Sequence, residues 1–386
     1  MRRATHEARR AGAPVELVTS GDRGKHHLLV GTDGALGTIT AAPLDASSAA
    51  GSSGELTRRR EVKGQAPQPE PVDAPSAPAV EPPTRLTFLA STSHRGSDLS
   101  GWRGTLARLG LPVGPSAASR RRAQWLSPVS THWAGCRTIA VANGKGGVGK
   151  TMTTAMLAAV FAREGGGNVL AWDNNDTRGT LGWRTEQGLY ETTLRDLLPA
   201  APELLSPTAG VSDMTRFVHH QATDRYDVLR SNPELLATDQ RIATAEFDLL
   251  MRVAARYYRL VIFDSGNDES AERWLRMVDS SYQLVIPTLA APESAESAAL
   301  LLDALRDRDE RSSLLADNAV VIVTQSEPVG GRAARRVADG FQGHVRSVEL
   351  IPFDPALKSG PLRFDTLRHR TQDAWLRAAA SAAQGL

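Results

Sequence analysis

A chain of 386 residues, 41% hydrophobic and 23% charged, is long enough for one large domain or two ordinary ones. Its single cysteine, Cys136, excludes an internal disulfide and a cysteine-built metal cluster. The net charge of +2 excludes neither nucleic acid nor an acidic partner, but it is unevenly spread: residues 1–130 hold 17 Lys+Arg against 11 Asp+Glu, leaving an acidic excess behind them.

The N-terminal MRRATHEARRAGAPVELV has arginine pairs with no apolar stretch behind them, so neither a Sec nor a twin-arginine signal is expected. No apolar run reaches the ~18 residues of a membrane span. A cytoplasmic location without stable membrane insertion is the expectation. VELVTS and HHLLVGTDGALGTIT carry strand-like pieces and an Asp-Gly turn signal, which predicts a small β-hairpin. GQAPQPEPVDAPSAPAVEPP, residues 64–83, then holds 7 of the 22 prolines and almost no large apolar side chain, so it cannot bury enough surface to fold. Residues 1–84 are expected to form a low-complexity, Pro-rich, mostly disordered arm.

Residues 85–135 predict a helical lead-in. Trp102, Leu106, Trp125 and Leu126 recur at roughly helical spacing, suited to packing on a following domain. The run Arg120, Arg121, Arg122 is expected to be a solvated helix face, with phosphate contact as the alternative. Cys136 reads as a packing residue.

From residue 137 strands and helices alternate. The buried-strand pattern appears at 137–142, 168–172, 226–231, 259–264, 283–288, 319–325 and 345–353, with helical segments between most of them. That alternation predicts an α/β fold over residues 136–386: a mostly parallel sheet, helices on both faces, and sites at the carboxyl ends of its strands.

The first strand runs into VANGKGGVGKTMTT, where Gly144, Gly149, Lys150 and Thr151 match G-x-x-x-x-G-K-[ST] between a strand and a helix. Such a loop points several backbone N–H groups at one anion, and the helix N-terminus adds its partial positive charge. A nucleotide triphosphate is the expected ligand, with Gly144, Gly146, Gly147, Val148, Gly149 and Met152 around it. Lys150 reaches the β- and γ-phosphates, and the Thr151 hydroxyl binds Mg²⁺. RLVIFDSG ends a strand in Asp264, a carboxylate placed to hold Mg²⁺ as in Walker B. VLAWDNNDTRG likewise ends a strand in Asp173, followed by Asn175 and Asp176.

KGGVGKT, with its early Lys145, resembles the deviant Walker A loop of the ParA/MinD family of P-loop ATPases, and the Asp173 segment resembles that family's first switch region in an actinobacterial form. The resemblance spans residues 137 to about 380, with KGGVGKT its one highly specific motif. It implies a slow, partner-stimulated ATPase in which Lys145 reaches the partner's phosphates in a nucleotide-sandwich homodimer. The family's second switch carboxylate is replaced here by Asn175, which binds water but cannot accept its proton. Either Asp176 takes over or hydrolysis is slow. The resemblance further implies Gln325, in VTQSEP, as a reader of the adenine base and Pro352, in IPFDPAL, against that base. Cofactors are then ATP and Mg²⁺.

Two roles follow from the resemblance. The first is DNA partition or positioning, with non-specific DNA bound through Arg332, Arg335, Arg336, Arg363, Arg368 and Arg370 and association with the nucleoid. The alternative is an ATPase adaptor of a type VII secretion or conjugative apparatus, with the Pro-rich arm as its docking element. A membrane-anchored role is disfavoured, because AWLRAAASAAQGL is too alanine-rich and weakly charged to anchor.

Overall fold

A computed structural model describes residues 13, 15–21, 24–30, 36–38, 116–175, 179–232, 241–358 and 360–386. The chain divides into two units, Met1–Phe88 and Leu89–Leu386. Trp102, Leu106 and Asp176 lie outside the described residues.

The first unit contains a three-stranded antiparallel sheet. Strand β1 (Val15–Gly21) pairs with β2 (Gly24–Val30), Val15 opposite Val30, and β2 pairs with β3 (Leu36–Thr38). The expected hairpin is therefore one strand larger. The Asp33-Gly34 turn signal lies outside the described residues.

The second unit is built on an eight-stranded sheet ordered β11-β10-β9-β4-β8-β5-β7-β6. Its members are β4 (Arg137–Val141), β5 (Val169–Asn174), β6 (His219–Gln221), β7 (Tyr226–Leu229), β8 (Leu260–Ser265), β9 (Gln283–Leu289), β10 (Val320–Thr324) and β11 (Ser347–Ile351). All neighbours run parallel except β6, which is antiparallel to β7 at one edge. The short β6 carries two histidines and a glutamine, so apolar patterning gives no sign of it.

Strand residues alternate between two cores, as the two-residue period of a strand requires. Ile139, Val141, Ala171, Ile262 and Ile322 face one core with α1 (Ala117–Val129), α2 (Lys150–Gly165) and α9 (His369–Ala383). Ala140, Trp172, Phe263, Ile286 and Val323 face the other, with α3 (Leu194–Leu204), α4 (Thr244–Tyr257), α5 (Glu272–Asp279), α6 (Pro292–Arg308), α7 (Glu310–Asp317) and α8 (Gly331–Phe341). Trp172, Phe247 and Phe263 pack ring to ring there, with centroids 5.3–5.7 Å apart.

Helix α2 is buried almost all round because its small residues let β-strands, α1 and α9 approach closely. Trp125 and Leu126 on α1 pack against this core, and Arg122 pairs with Asp373 at 2.5 Å and Glu164 at 3.4 Å. Arg120 and Arg121 are exposed. The C-terminal helix α9 is a core element too, with Trp375 and Leu376 fully enclosed, so its apolar face is spent inside the fold. Among the described residues no helix is long and apolar enough to cross a membrane.

Candidate functional site

The site is assembled at the carboxyl ends of β4, β5 and β8, three adjacent strands. From β4 the chain enters the loop Asn143–Gly149. Gly147 and Gly149 take φ of 76° and 97°, the left-handed region that an L side chain resists, so the loop turns its amides inward there. Gly149 is the N-cap of α2 and has no side chain to satisfy the first N–H groups, leaving that helix end available to an anion.

Asn143, which the sequence reading passed over, organises this loop from below. Fully buried, it donates from Nδ2 to the Pro287 carbonyl on β9 at 2.9 Å, and its Oδ1 accepts from the Lys145 amide at 3.0 Å and Ser297 Oγ at 2.8 Å. Lys150 Nζ then donates to the Asn143 carbonyl at 2.9 Å, the Lys145 carbonyl at 3.0 Å and Asn267 Oδ1 at 2.6 Å. Burial lowers the Lys150 pKa, and the charges of Asp264 and Glu269 pull it back up. Lys145, five positions before the helix start in the same loop, is exposed, as are Gly146 and Gly147. The two lysines therefore point their charge to different places, one inward and one outward. Val148 is buried under the loop, and the Met152 side chain belongs to the core below it.

Asp173 and Asp264 stand side by side as register partners on β5 and β8. Thr151 Oγ1 donates to Asp264 Oδ2 at 2.7 Å and lies 2.9 Å from Thr180 Oγ1, while Ser231 Oγ donates to Asp173 Oδ2 at 2.8 Å. Each carboxylate also buries one oxygen, Oδ1, that has no hydrogen-bond partner among the described residues. Burial raises both pKa values, and at Asp264 the neighbouring Asp173 charge raises it further. Two enclosed carboxylates, each with one unpartnered oxygen, and the Thr151 hydroxyl form a hard-oxygen donor set of the kind a Mg²⁺ ion with its waters takes. Thr151, Asp264 and Asp173 would hold the ion, directly or through water, and the ion would neutralise charge on the phosphates.

The segment at the end of β5 is pinned by a residue that no sequence pattern marks. Arg273, buried on α5, donates from Nε to Asn174 Oδ1 at 2.5 Å and from its terminal nitrogen to the Asp173 carbonyl at 2.8 Å. Asn175 follows, its Oδ1 only 3.1 Å from where a Cβ at Gly266 would stand. The loop after β8, Gly266–Ser270, thus touches the switch segment on one side and the glycine loop on the other. Asn267 and Glu269 were missed because nothing distinguishes them except their place just behind Asp264.

Gln325 and Pro352 come together at the ends of adjacent strands β10 and β11, where the Gln325 amide bonds the Ile351 carbonyl at 2.9 Å. The Gln325 carboxamide is tied to its own loop through the Glu327 and Pro328 carbonyls at 2.7 and 3.1 Å. The basic candidates do not form one group. Arg332, Arg335 and Arg336 are exposed on α8, which covers one face of the sheet, while Arg368 and Arg370 are exposed at the start of α9 on the other. Arg363 is bonded to Asp365 and Thr223.

The profile of the AAA domain family matches residues 136–328, half of the chain. Chromosome-partitioning ATPase Soj of Thermus thermophilus is 37% identical over 145 residues, covering 32% of this chain and 57% of Soj. ESX-1 secretion-associated protein EspI of Mycobacterium tuberculosis is 25% identical over 326 residues, covering 83% of this chain and 47% of EspI. The chain thus spans about half the length of the curated relatives it matches. The crystal structure of a ParA family ATPase from Chlorobium tepidum TLS shares the fold, with a TM-score of 0.51 at 19% identity over 64% of this chain and 98% of that one. Together with the glycine loop and its two lysines, these matches establish the family: the chain belongs to the AAA domain family as a P-loop ATPase of the ParA/MinD type, a group whose members hydrolyse ATP.

Proposed function

We propose that this chain is a nucleotide-operated dimer switch that binds Mg²⁺-ATP, closes into a homodimer, and reopens on slow hydrolysis. The observation that carries this reading is the division of labour between Lys150, enclosed and bonded within its own loop, and Lys145, exposed on the same loop. Lys150 and the glycine-loop amides bind the phosphates of the same subunit, and Lys145 is free to reach those of the partner. Asp173, Asp264 and Thr151 keep the cation at the phosphates, and Arg273 keeps the Asp173 segment in place.

For what the switch acts on, two readings draw on different observations. DNA positioning is supported by the Soj match and by the exposed Arg332, Arg335 and Arg336 on α8. Action on a secretion apparatus is supported by the EspI match, which extends over 83% of this chain, well beyond the ATPase core that the Soj match covers. Binding to non-specific duplex DNA with ATP, with ADP and without nucleotide separates them. Partition requires ATP-dependent binding whose log K falls with log salt by about 0.9 per phosphate contacted. A nucleotide-dependent dimer with no DNA affinity supports the secretion reading.

A further inference from the structure

Asn175 cannot itself take a proton from water, since a carboxamide is not a base. A carboxylate stands on the other side of the glycine loop. Glu269, on the loop behind β8, lies so close to Gly144 that a Cβ there would overlap its Oε1. Its charge acts on Lys150, the residue that marks the phosphate end of the site. Asn267, two residues earlier, keeps this loop in register with the cradle through its 2.6 Å bond from Lys150 Nζ. Glu269 is half-buried and, with Gly144, lines a cavity bounded on its other side by α6.

We propose that Glu269 orients the attacking water and takes its proton during ATP hydrolysis, the task for which Asn175 is chemically unsuited. This rests on the ATPase reading above. In the step, a water oxygen bonds to the γ-phosphorus as the bond from that phosphorus to the β–γ bridging oxygen breaks. The electron pair leaves with ADP. The water proton passes to Glu269 and then to the released phosphate. Burial raises the Glu269 pKa and Lys150 lowers it, which brings the group toward the range where a general base works best. The charged groups that face it are Lys150 at the head of α2, Asp268 on its own loop, and Glu293 and Glu296 on α6, across a cavity of about 720 Å³.

The test uses the full chain and measures three things: single-turnover ATP hydrolysis, affinity for a fluorescent ATP analogue, and lifetime of the ATP-induced dimer. E269Q is expected to slow hydrolysis about 100-fold, within the usual worth of a general base. Its analogue affinity should be unchanged or tighter, its dimers should last longer, and the acid limb of the rate–pH profile should disappear. Adding N175D to E269Q should restore part of the rate by returning a carboxylate from the switch side. Wild-type turnover by E269Q overturns the proposal, as does loss of analogue binding together with turnover, or loss of turnover in D176A rather than in E269Q. A wild-type chain that binds ATP without ever turning it over overturns the proposal but leaves the binding switch standing. Failure of the wild type to bind ATP overturns both readings.

Discussion

Two loops at the carboxyl ends of neighbouring strands, Asn143–Gly149 after β4 and Gly266–Ser270 after β8, meet over the Lys150 ammonium but are built in opposite ways. The first is glycine-rich, turns through positive φ and offers donors. The second offers acceptors: the Asn267 carboxamide, the Glu269 carboxylate, and Asp268, which holds Ser270. An anion is attracted by one and resisted by the other. Affinity therefore resides in the glycine loop, and what happens after binding is governed by the loop that must give way to the phosphates or act on them.

The strongest break of this comparison is Lys150→Ala. It removes the one enclosed cation from the donor loop and leaves Asp264 and Glu269 without it, so ATP affinity should fall at least about 100-fold, or about 2.7 kcal/mol; calorimetric titration reads it directly. Arg273→Met comes next. Removing the guanidinium strips Asn174 and the Asp173 carbonyl of buried donors, which should cost about 3 kcal/mol in denaturant unfolding and loosen the switch segment.

Gly144→Ala sharpens the comparison instead of breaking it. The added methyl needs the space of the Glu269 carboxylate and pushes it off the glycine loop. Hydrolysis should drop toward the E269Q level, about 100-fold, a larger loss than any fall in ATP affinity read by the same titration.

The smallest effect concerns pH. Asp173 and Asp264 have folded pKa values raised above the ordinary 3.8, by burial first and at Asp264 also by the Asp173 charge. A raised folded pKa gives stability that is fully present below the unfolded value and is lost as pH rises through the folded one. The metal-free chain should accordingly lose melting temperature from mildly acid to mildly alkaline pH. Added Mg²⁺ should restore more of it at the alkaline end, because only the ionised pair binds the cation. A Mg²⁺ effect independent of pH would contradict the pairing of these two carboxylates.

The donor loop was legible in the sequence and the acceptor loop was not, for a physical reason. Gly147, Gly149 and Lys150 announce themselves because positive φ and a phosphate cradle demand those residue types at that spacing. Asp173 and Asp264 were found because an acidic residue closing an apolar strand is conspicuous. Asn267, Glu269, Asn143 and Arg273 act through tertiary position alone. A buried arginine on α5 that holds the end of β5 across 99 residues of chain leaves no local signal. The seven apolar strands from β4 to β11 were visible for the same reason that β6 was not: burial on both faces writes an unbroken apolar run, and a short edge strand need not.

Lys145 is the residue on which the central claim turns. Sedimentation velocity of the wild-type chain and of Lys145→Ala, each with ADP and with a slowly hydrolysed ATP analogue, tests it most directly. The account predicts a wild-type dimer only with the ATP analogue, and a Lys145→Ala chain that stays monomeric while binding nucleotide with little change. A Lys145→Ala chain that dimerises as the wild type does would contradict it.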